Sequence, residues 1–247
     1  MAEIRIGTSG WFYRHWTGRF YPPDLKPSAW LSYYASQFDV VENNSSFYHL
    51  PKESTVAGWY RKVPATFRYA VKMSRFVSHV RKLRDVAEPC ATFLQRTAGL
   101  ADKLAVVLVQ LPPSFHCDVE LLSSFLEQLP ESPRFAFEFR HDSWYCQEAL
   151  TLLSRSNCAL CLGHSSRFPA QQTQTANFAY IRFHGPGRLY ASNYPDQELS
   201  AWARIIEELA AAGRDVYAFF NNDFNAYAVE NARTLRTMIF GTADTDR

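Results

Sequence analysis

The chain has no long hydrophobic run. Its longest unbroken apolar stretch spans only 104–109, whereas a membrane helix needs about 20 residues, so no membrane span is expected. Met1-Ala-Glu-Ile-Arg5 leads straight into a strand-like segment, without the charged and apolar regions of a signal peptide. Cysteine is scarce and odd in number, at five. A chain of this size can bury its own core, so a disulfide framework is not expected and a reducing cytoplasm is. Charge of one sign is also lacking. The net charge of +2 does not by itself imply a polyanionic partner. No linker, low-complexity tract or internal repeat divides the 247 residues. The expectation is a soluble, cytoplasmic protein with one domain, its core at about 4–240. The oligomeric state stays open.

What the sequence has in quantity is aromatic residues, at 15%. Many sit in polar surroundings, as in Trp11-Phe-Tyr-Arg-His-Trp16, Phe47-Tyr48 and Trp144-Tyr145. Flat faces beside polar groups suit sugar rings or bases, although rings also simply fill a large core.

Eight short β-type segments recur, at 4–9, 38–44, 67–73, 104–111, 135–140, 158–163, 178–184 and 216–221. Helix-like stretches separate most of them, at 27–35, 53–62, 87–100, 118–128, 147–155, 198–212 and 226–239. Regular alternation means parallel strands with crossovers. Eight such units in one chain of this length predict an α/β fold of the TIM type, a closed (β/α)8 barrel. The stretch 164–176 is polar with a central Pro169, so the sixth helix is expected to be short or missing.

Barrel strands show alternate residues to the helices and to the interior. In 135–140 the three Phe fall on one side, leaving Glu138 and Arg140 on the other. In 180–184, Ile181 and Phe183 are the apolar side, leaving Arg182 and His184 inside. Glu42, Asn44, Lys72 and Gln110 follow the same phase near their strand ends. The C-terminal strand ends are where these barrels carry their active sites. Buried charge there needs partners or a ligand.

These blocks also carry a family resemblance. Residues 7–22, opening Gly7-Thr-Ser-Gly-Trp11, resemble the start of the YecE-like family, the bacterial and archaeal domain of unknown function 72. So do Glu42-Asn-Asn-Ser-Ser-Phe-Tyr48, Val71-Lys-Met-Ser-Arg75 with Ser78-His79, and Gln110-Leu-Pro-Pro-Ser-Phe115. Further blocks are Phe137-Glu-Phe-Arg-His-Asp-Ser-Trp144, Tyr180-Ile-Arg-Phe-His-Gly185 and Phe220-Asn-Asn-Asp223. Ser46 and Ser78 stand where the family pattern has Thr, and both keep a hydroxyl. The resemblance runs from about Ile4 to about Ile239. It implies a TIM-type barrel and supplies no settled activity.

Glu42, His79, Glu138 and His184 are the candidate acid/base residues. Trp11, Tyr13, Asn44, Tyr48, Lys72, Arg75, Gln110, Arg140, Trp144, Arg182, Gly185, Arg188, Asn221, Asn222 and Asp223 are the candidate substrate contacts. Arg182-Phe-His-Gly-Pro-Gly-Arg188 leaves strand seven, where barrels of this type often hold phosphate on loop amides and charge. An anion is therefore expected between Arg182, His184, loop 185–188 and Asn221-Asn222. The stretch 72–84 holds five Lys/Arg and no acid. It reads either as a solvated face or as a phosphate-backbone strip, with Trp11, Tyr48 and Trp144 as stacking platforms. No H-x-H or H-E-x-x-H spacing appears, so no cofactor is expected, and a divalent metal stays an open alternative. Cys158 and Cys161 are three apart in a strand and should face opposite ways, as packing residues. Three functional readings remain. The first is an enzyme doing acid/base chemistry on a phosphorylated or nucleotide-like substrate. The second is a non-catalytic binder of nucleotides or nucleic acid. The third is a glycoside-type hydrolase using Glu42 and Glu138.

Overall fold

The computed structural model describes residues 2–168 and 171–241. Strand β1 (Ile4–Ser9) leads to helix α1 (Trp30–Ala35). Strand β2 (Val40–Asn43) leads to α2 (Ser45–Tyr48) and α3 (Glu53–Arg61). Strand β3 (Arg68–Lys72) leads through a π-helical turn (Phe76–Val80) to α4 (Ala87–Thr97). Strand β4 (Leu104–Gln110) precedes α5 (Val119–Leu126), and β5 (Arg134–Glu138) precedes α6 (Gln147–Arg155). Strand β6 (Ala159–His164) runs on to β7 (Phe178–Phe183). Helix α7 (Asp196–Ala211), β8 (Asp215–Phe220) and α8 (Tyr227–Phe240) complete the chain. The eight strands pair in sequence order and β8 closes on β1, all parallel. This is the expected (β/α)8 barrel. Between β6 and β7 no helix occurs among the described residues. Pro169, on which the sixth-loop expectation partly rested, lies outside them.

Local chemistry sets several boundaries. Asp118 caps α5 by accepting from the Leu121 amide at 3.0 Å. The helix expected at 87–100 stops at Thr97 and tightens into a 3-10 segment, where Ala101 has φ +47°. Strand β5 ends at Glu138 rather than Arg140, so Arg140 stands on the loop that leaves the barrel.

Two apolar layers follow from the alternation. Val40, Ala70, Val106, Leu108, Ala136, Ala159, Cys161, Phe178, Tyr180, Tyr217 and Phe219 pack inside the barrel. The alternate positions, among them Val41, Val71, Val107, Phe135, Phe137, Ile181 and Phe183, face the helices. Cys161 lies in the inner layer and Cys158 in the outer, as their spacing requires. Above the inner layer, at the C-terminal end, the next inward positions are Glu42, Lys72, Gln110, Glu138 and Arg182, all buried.

Candidate functional site

Each of those five residues sits two places beyond an apolar inner residue on its strand. The barrel therefore stacks a polar layer directly on an apolar one. Arg182 is the centre of it. Its Nε and Nη2 donate to Glu42 Oε2 and Oε1 at 2.9 and 2.7 Å, and its Nη1 donates to Glu138 Oε2. Tyr180 Oη donates to Glu42 Oε2 at 2.7 Å. Arg140 Nε and His184 Nε2 each meet Glu138 Oε1 at 3.0 Å. Asn221 Nδ2 meets His184 Nδ1 at 3.2 Å. This network is buried, with Arg182 and His184 both 1% exposed.

The network fixes the charges. Burial would raise both carboxyls. At Glu42 the Arg182 guanidinium and the Arg182 and Tyr180 hydrogen bonds more than offset that, and at Glu138 Arg140, Arg182 and His184 do. Both are held below the ordinary carboxylate range, Glu138 well below. Neither can act as a protonated acid, and one guanidinium already occupies the space between them. That arrangement does not favour the glycosidase reading, which needs one carboxyl protonated and room between the two. His184 has both ring nitrogens engaged. Burial lowers its pKa, against the pull of Glu138. Glu42, Glu138 and His184, three of the four candidate acid/base residues, are thus all held by partners within one network.

Lys72 is different. Its Nζ donates to Gln110 Oε1 at 2.8 Å and lies 4.0 Å from the Phe47 ring centroid. Among the described residues it forms no ion pair with a carboxylate. Burial, followed by the Arg182 charge, lowers its pKa from 10.5 to about 7. Gln110 Nε2 donates to Leu111 O at 3.1 Å and faces His79 Nε2 at 3.3 Å. His79 Nδ1 lies 3.0 Å from Ser78 Oγ, which donates to Ser74 O. One consistent assignment has Gln110 donating to Nε2 and Nδ1–H donating to Ser78. Burial and the Lys72 charge lower His79 to about 4, so it is neutral near pH 7. His79, expected as an acid/base group, instead orients Gln110, which in turn holds Lys72.

Other expected contacts separate into two groups. Gly185 has φ +100°, and a Cβ there would lie 2.9 Å from Arg188 O. The backbone needs glycine at this point, but its amide is not free for an anion. Gly185 N donates to Tyr194 Oη and Gly187 N to Ser192 Oγ, both at 3.0 Å. Arg188 is exposed. With Arg182 consumed by carboxylates, the expected cradle at 185–188 is closed. Asn221 faces inward, while Asn222 is buried outward against Ser192 O and Asn231. Asp223 accepts from Trp16 Nε1 through its backbone oxygen at 3.0 Å. Two of the five cations of the basic stretch are paired with acids. Arg81 pairs with Asp85 and Arg84 with Asp118, and Lys82 donates to Ser114 O. Arg75 is exposed and has no ion pair among the described residues. Trp144 is no stacking platform: it is fully buried on Phe139, with Nε1 donating to Phe115 O.

Trp11, Tyr13, Asn44 and Tyr48 do come together, in a cavity of about 430 Å³ beside the mouth. Asn43, Trp59 and Phe12 join them. Asn43 was missed because the strand phase turns it toward the helices. A polar residue at an outward strand position was the available signal. Tyr13 Oη donates to Ser9 O at 2.6 Å. Burial and the nearby Asp223 and Glu42 charges raise its pKa, so it lies between this cavity and the network. Among the described residues, no group of three His, Cys, Asp or Glu side chains is placed to hold a metal ion. No helix among them is long and apolar enough to cross a membrane.

The profile of a family described as Protein of unknown function DUF72 matches residues 5–245. The chain is 26% identical over 270 aligned residues to the UPF0759 protein YunF of Bacillus subtilis, covering 96% of this chain and 94% of that one. It is 31% identical to the UPF0759 protein YecE of Escherichia coli over 118 residues, 47% of this chain and 43% of that one. A crystal structure of a DUF72 family protein from Thermotoga maritima superposes with a TM-score of 0.87 at 30% identity, covering 96% and 99% of the two chains. The chain belongs to the DUF72 family.

Proposed function

We propose that this member of the DUF72 family is an enzyme that seats an anionic, phosphate-class group at the C-terminal mouth and moves a proton there with Lys72. The observation that supports it most is the Lys72 amine itself, buried at the mouth with a neutral amide and an aromatic face as its partners. A lysine near half-protonation at neutral pH can give or take a proton, which an ordinary surface lysine cannot. Arg140 hydrogen-bonds only through its Nε among the described residues, with its guanidinium 4.2 Å from the Phe168 ring centroid, so its two terminal nitrogens remain for an anion. Three cations against two carboxylates leave the layer positive whenever Lys72 is protonated. Glu42, Arg182, Glu138 and His184 serve as a rigid electrostatic frame around it.

The test has two arms. Calorimetry with inorganic phosphate and a panel of phosphorylated small molecules should show binding that Arg140→Ala weakens about tenfold to a hundredfold, the worth of a charge-assisted contact of about 1.5–3 kcal/mol. Turnover of the binding compounds should show a pH limb near 7 that disappears in Lys72→Met. Binding no tighter than that of neutral sugars ends the reading. Tight binding with no turnover across the panel replaces the enzyme with a binding protein.

A further inference from the structure

The cavity beside the mouth is lined by aromatic residues and by two asparagines that each carry a buried polar atom without a partner among the described residues. Asn43 is 1% exposed. Its Oδ1 accepts from Ser45 N and Ser45 Oγ at 2.9 and 2.7 Å. Those two bonds settle which end of the amide is oxygen, and Nδ2 is left buried without a partner among the described residues. The neighbouring Asn44 has its Oδ1 buried and equally unpartnered. Both residues line the cavity. An orphaned buried donor or acceptor costs free energy, so a pair of them at one cavity points to a partner that satisfies them there.

The walls narrow the choice of what that is. Trp11 packs edge-on against Trp59, with ring centroids 6.0 Å apart. Tyr48 stands 68% exposed, its ring meeting the buried Phe47 edge-on at 5.0 Å between centroids. Gly10, with φ +96°, brings the end of β1 close under Tyr13: a Cβ there would lie 2.8 Å from the Tyr13 hydroxyl. Aromatic faces select a flat ring over an aliphatic chain. An adjacent amide donor and amide acceptor fit a ring edge that offers an acceptor next to an N–H, as a ring carbonyl beside a ring N–H does.

We propose that this cavity binds a flat heterocycle through its lactam edge, the edge that uracil and hypoxanthine share, with the ring carbonyl accepting from Asn43 Nδ2 and the ring N–H donating to Asn44 Oδ1. The ring stacks on Tyr48. This deepens the proposed function by naming a substrate class. A nucleoside carried here would point its sugar past Tyr13 toward Lys72 and Arg140, and only that second half rests on the anion reading of the mouth.

Titration calorimetry of the full chain tests the two halves separately. The probes are uridine, inosine, 3-methyluridine, uridine 5′-monophosphate and ribose 5-phosphate. Uridine or inosine should bind, and which of them binds better reports one ring or two. 3-Methyluridine, which lacks the ring N–H, should bind at least tenfold more weakly than uridine. Tyr48→Ala should cost about tenfold or more, as loss of one stacking face does. Tyr48 is exposed, so this variant folds. Lys72→Met should weaken the monophosphate more than it weakens uridine. If neither nucleoside binds, or if the methyl group makes no difference, the ring site is wrong. In that case ribose 5-phosphate still reports on the mouth. If uridine binds but the monophosphate binds no tighter, the ring site stands and the anion reading falls.

Discussion

Replacing Arg182 by methionine isolates the energetics of the buried layer. Glu138 would keep Arg140 and His184 as partners, at 3.0 Å each. Glu42 would lose its one guanidinium and keep only hydroxyls among the described residues, Tyr180 at 2.7 Å and the neighbouring Ser9, in a position with no exposure. The cost is therefore set by one stranded carboxylate at Glu42. Removing one partner of a buried ion pair costs about 3–5 kcal/mol. For a domain of this size each kcal/mol shifts the melting temperature by about 2–4 °C, so a fall of about 6–20 °C is expected. The pH dependence gives a sharper sign. In the wild type the folded state holds Glu42 and Glu138 below their unfolded values. They contribute stability above about pH 4.3, and it is lost as pH falls through the lowered folded values. In Arg182→Met, burial acts on Glu42 without a guanidinium to offset it, and its folded value rises above the unfolded one. Its contribution then reverses, and the variant should lose stability as pH rises from about 4.3. Calorimetric melting from pH 4 to 8 reads both effects. Adding Glu42→Gln to Arg182→Met should recover most of the loss, since a neutral amide has no charge to strand. A loss under about 1 kcal/mol, or rescue by Glu138→Gln but not by Glu42→Gln, would refute the reasoning.

Lys72 has linkage of the same sign as the wild-type carboxylates, in a higher pH window. Its folded pKa of about 7 lies below its ordinary 10.5, so the folded state binds fewer protons across that window. Wild-type stability should therefore gain from this group as pH rises from about 7 toward 10.5. Relative to wild type, Lys72→Met should be most stabilising near neutral pH, the advantage shrinking by pH 10. Denaturant titrations of both proteins at several pH values check this, and parallel curves would contradict it. Cys117 and Cys146, with sulfurs 3.8 Å apart, should be oxidised by diamide to an intrachain disulfide, the diamide being reduced in turn. Peptide mass mapping should find that pair, with Cys158 and Cys161 still reduced because both thiols are buried. A Cys158 or Cys161 adduct formed first would contradict the packing.

The parts of the site legible in the sequence are those that depend on one strand at a time. The alternation in 135–140 and 180–184 placed Glu138 and Arg182 inward before any partner was known, because a pleated strand sends neighbours to opposite faces whatever surrounds it. Asn221 and Asn222 obey the same rule, one in and one out. The parts that were not legible depend on distances between strands far apart in sequence. Nothing local says that Arg182 binds Glu42, 140 residues away, rather than a substrate phosphate. Barrel closure decides that, by bringing β2, β5 and β7 to one ring of positions. Nor does the stretch 72–84 contain Asp85 or Asp118, which pair with two of its cations once the loops fold. Trp144 and Asn43 make the same point from opposite directions. A tryptophan in a polar motif is buried on Phe139, and an asparagine on the helix-facing side of its strand opens onto a cavity. The sequence by itself determined the strand count, the strand phase and the polar rim. Only the tertiary structure decided which of those polar groups satisfy one another and which, like Asn43 Nδ2, have no partner among the described residues. Hydrogen bonds and ion pairs act over a few ångströms, and the chain carries no record of those distances until it closes.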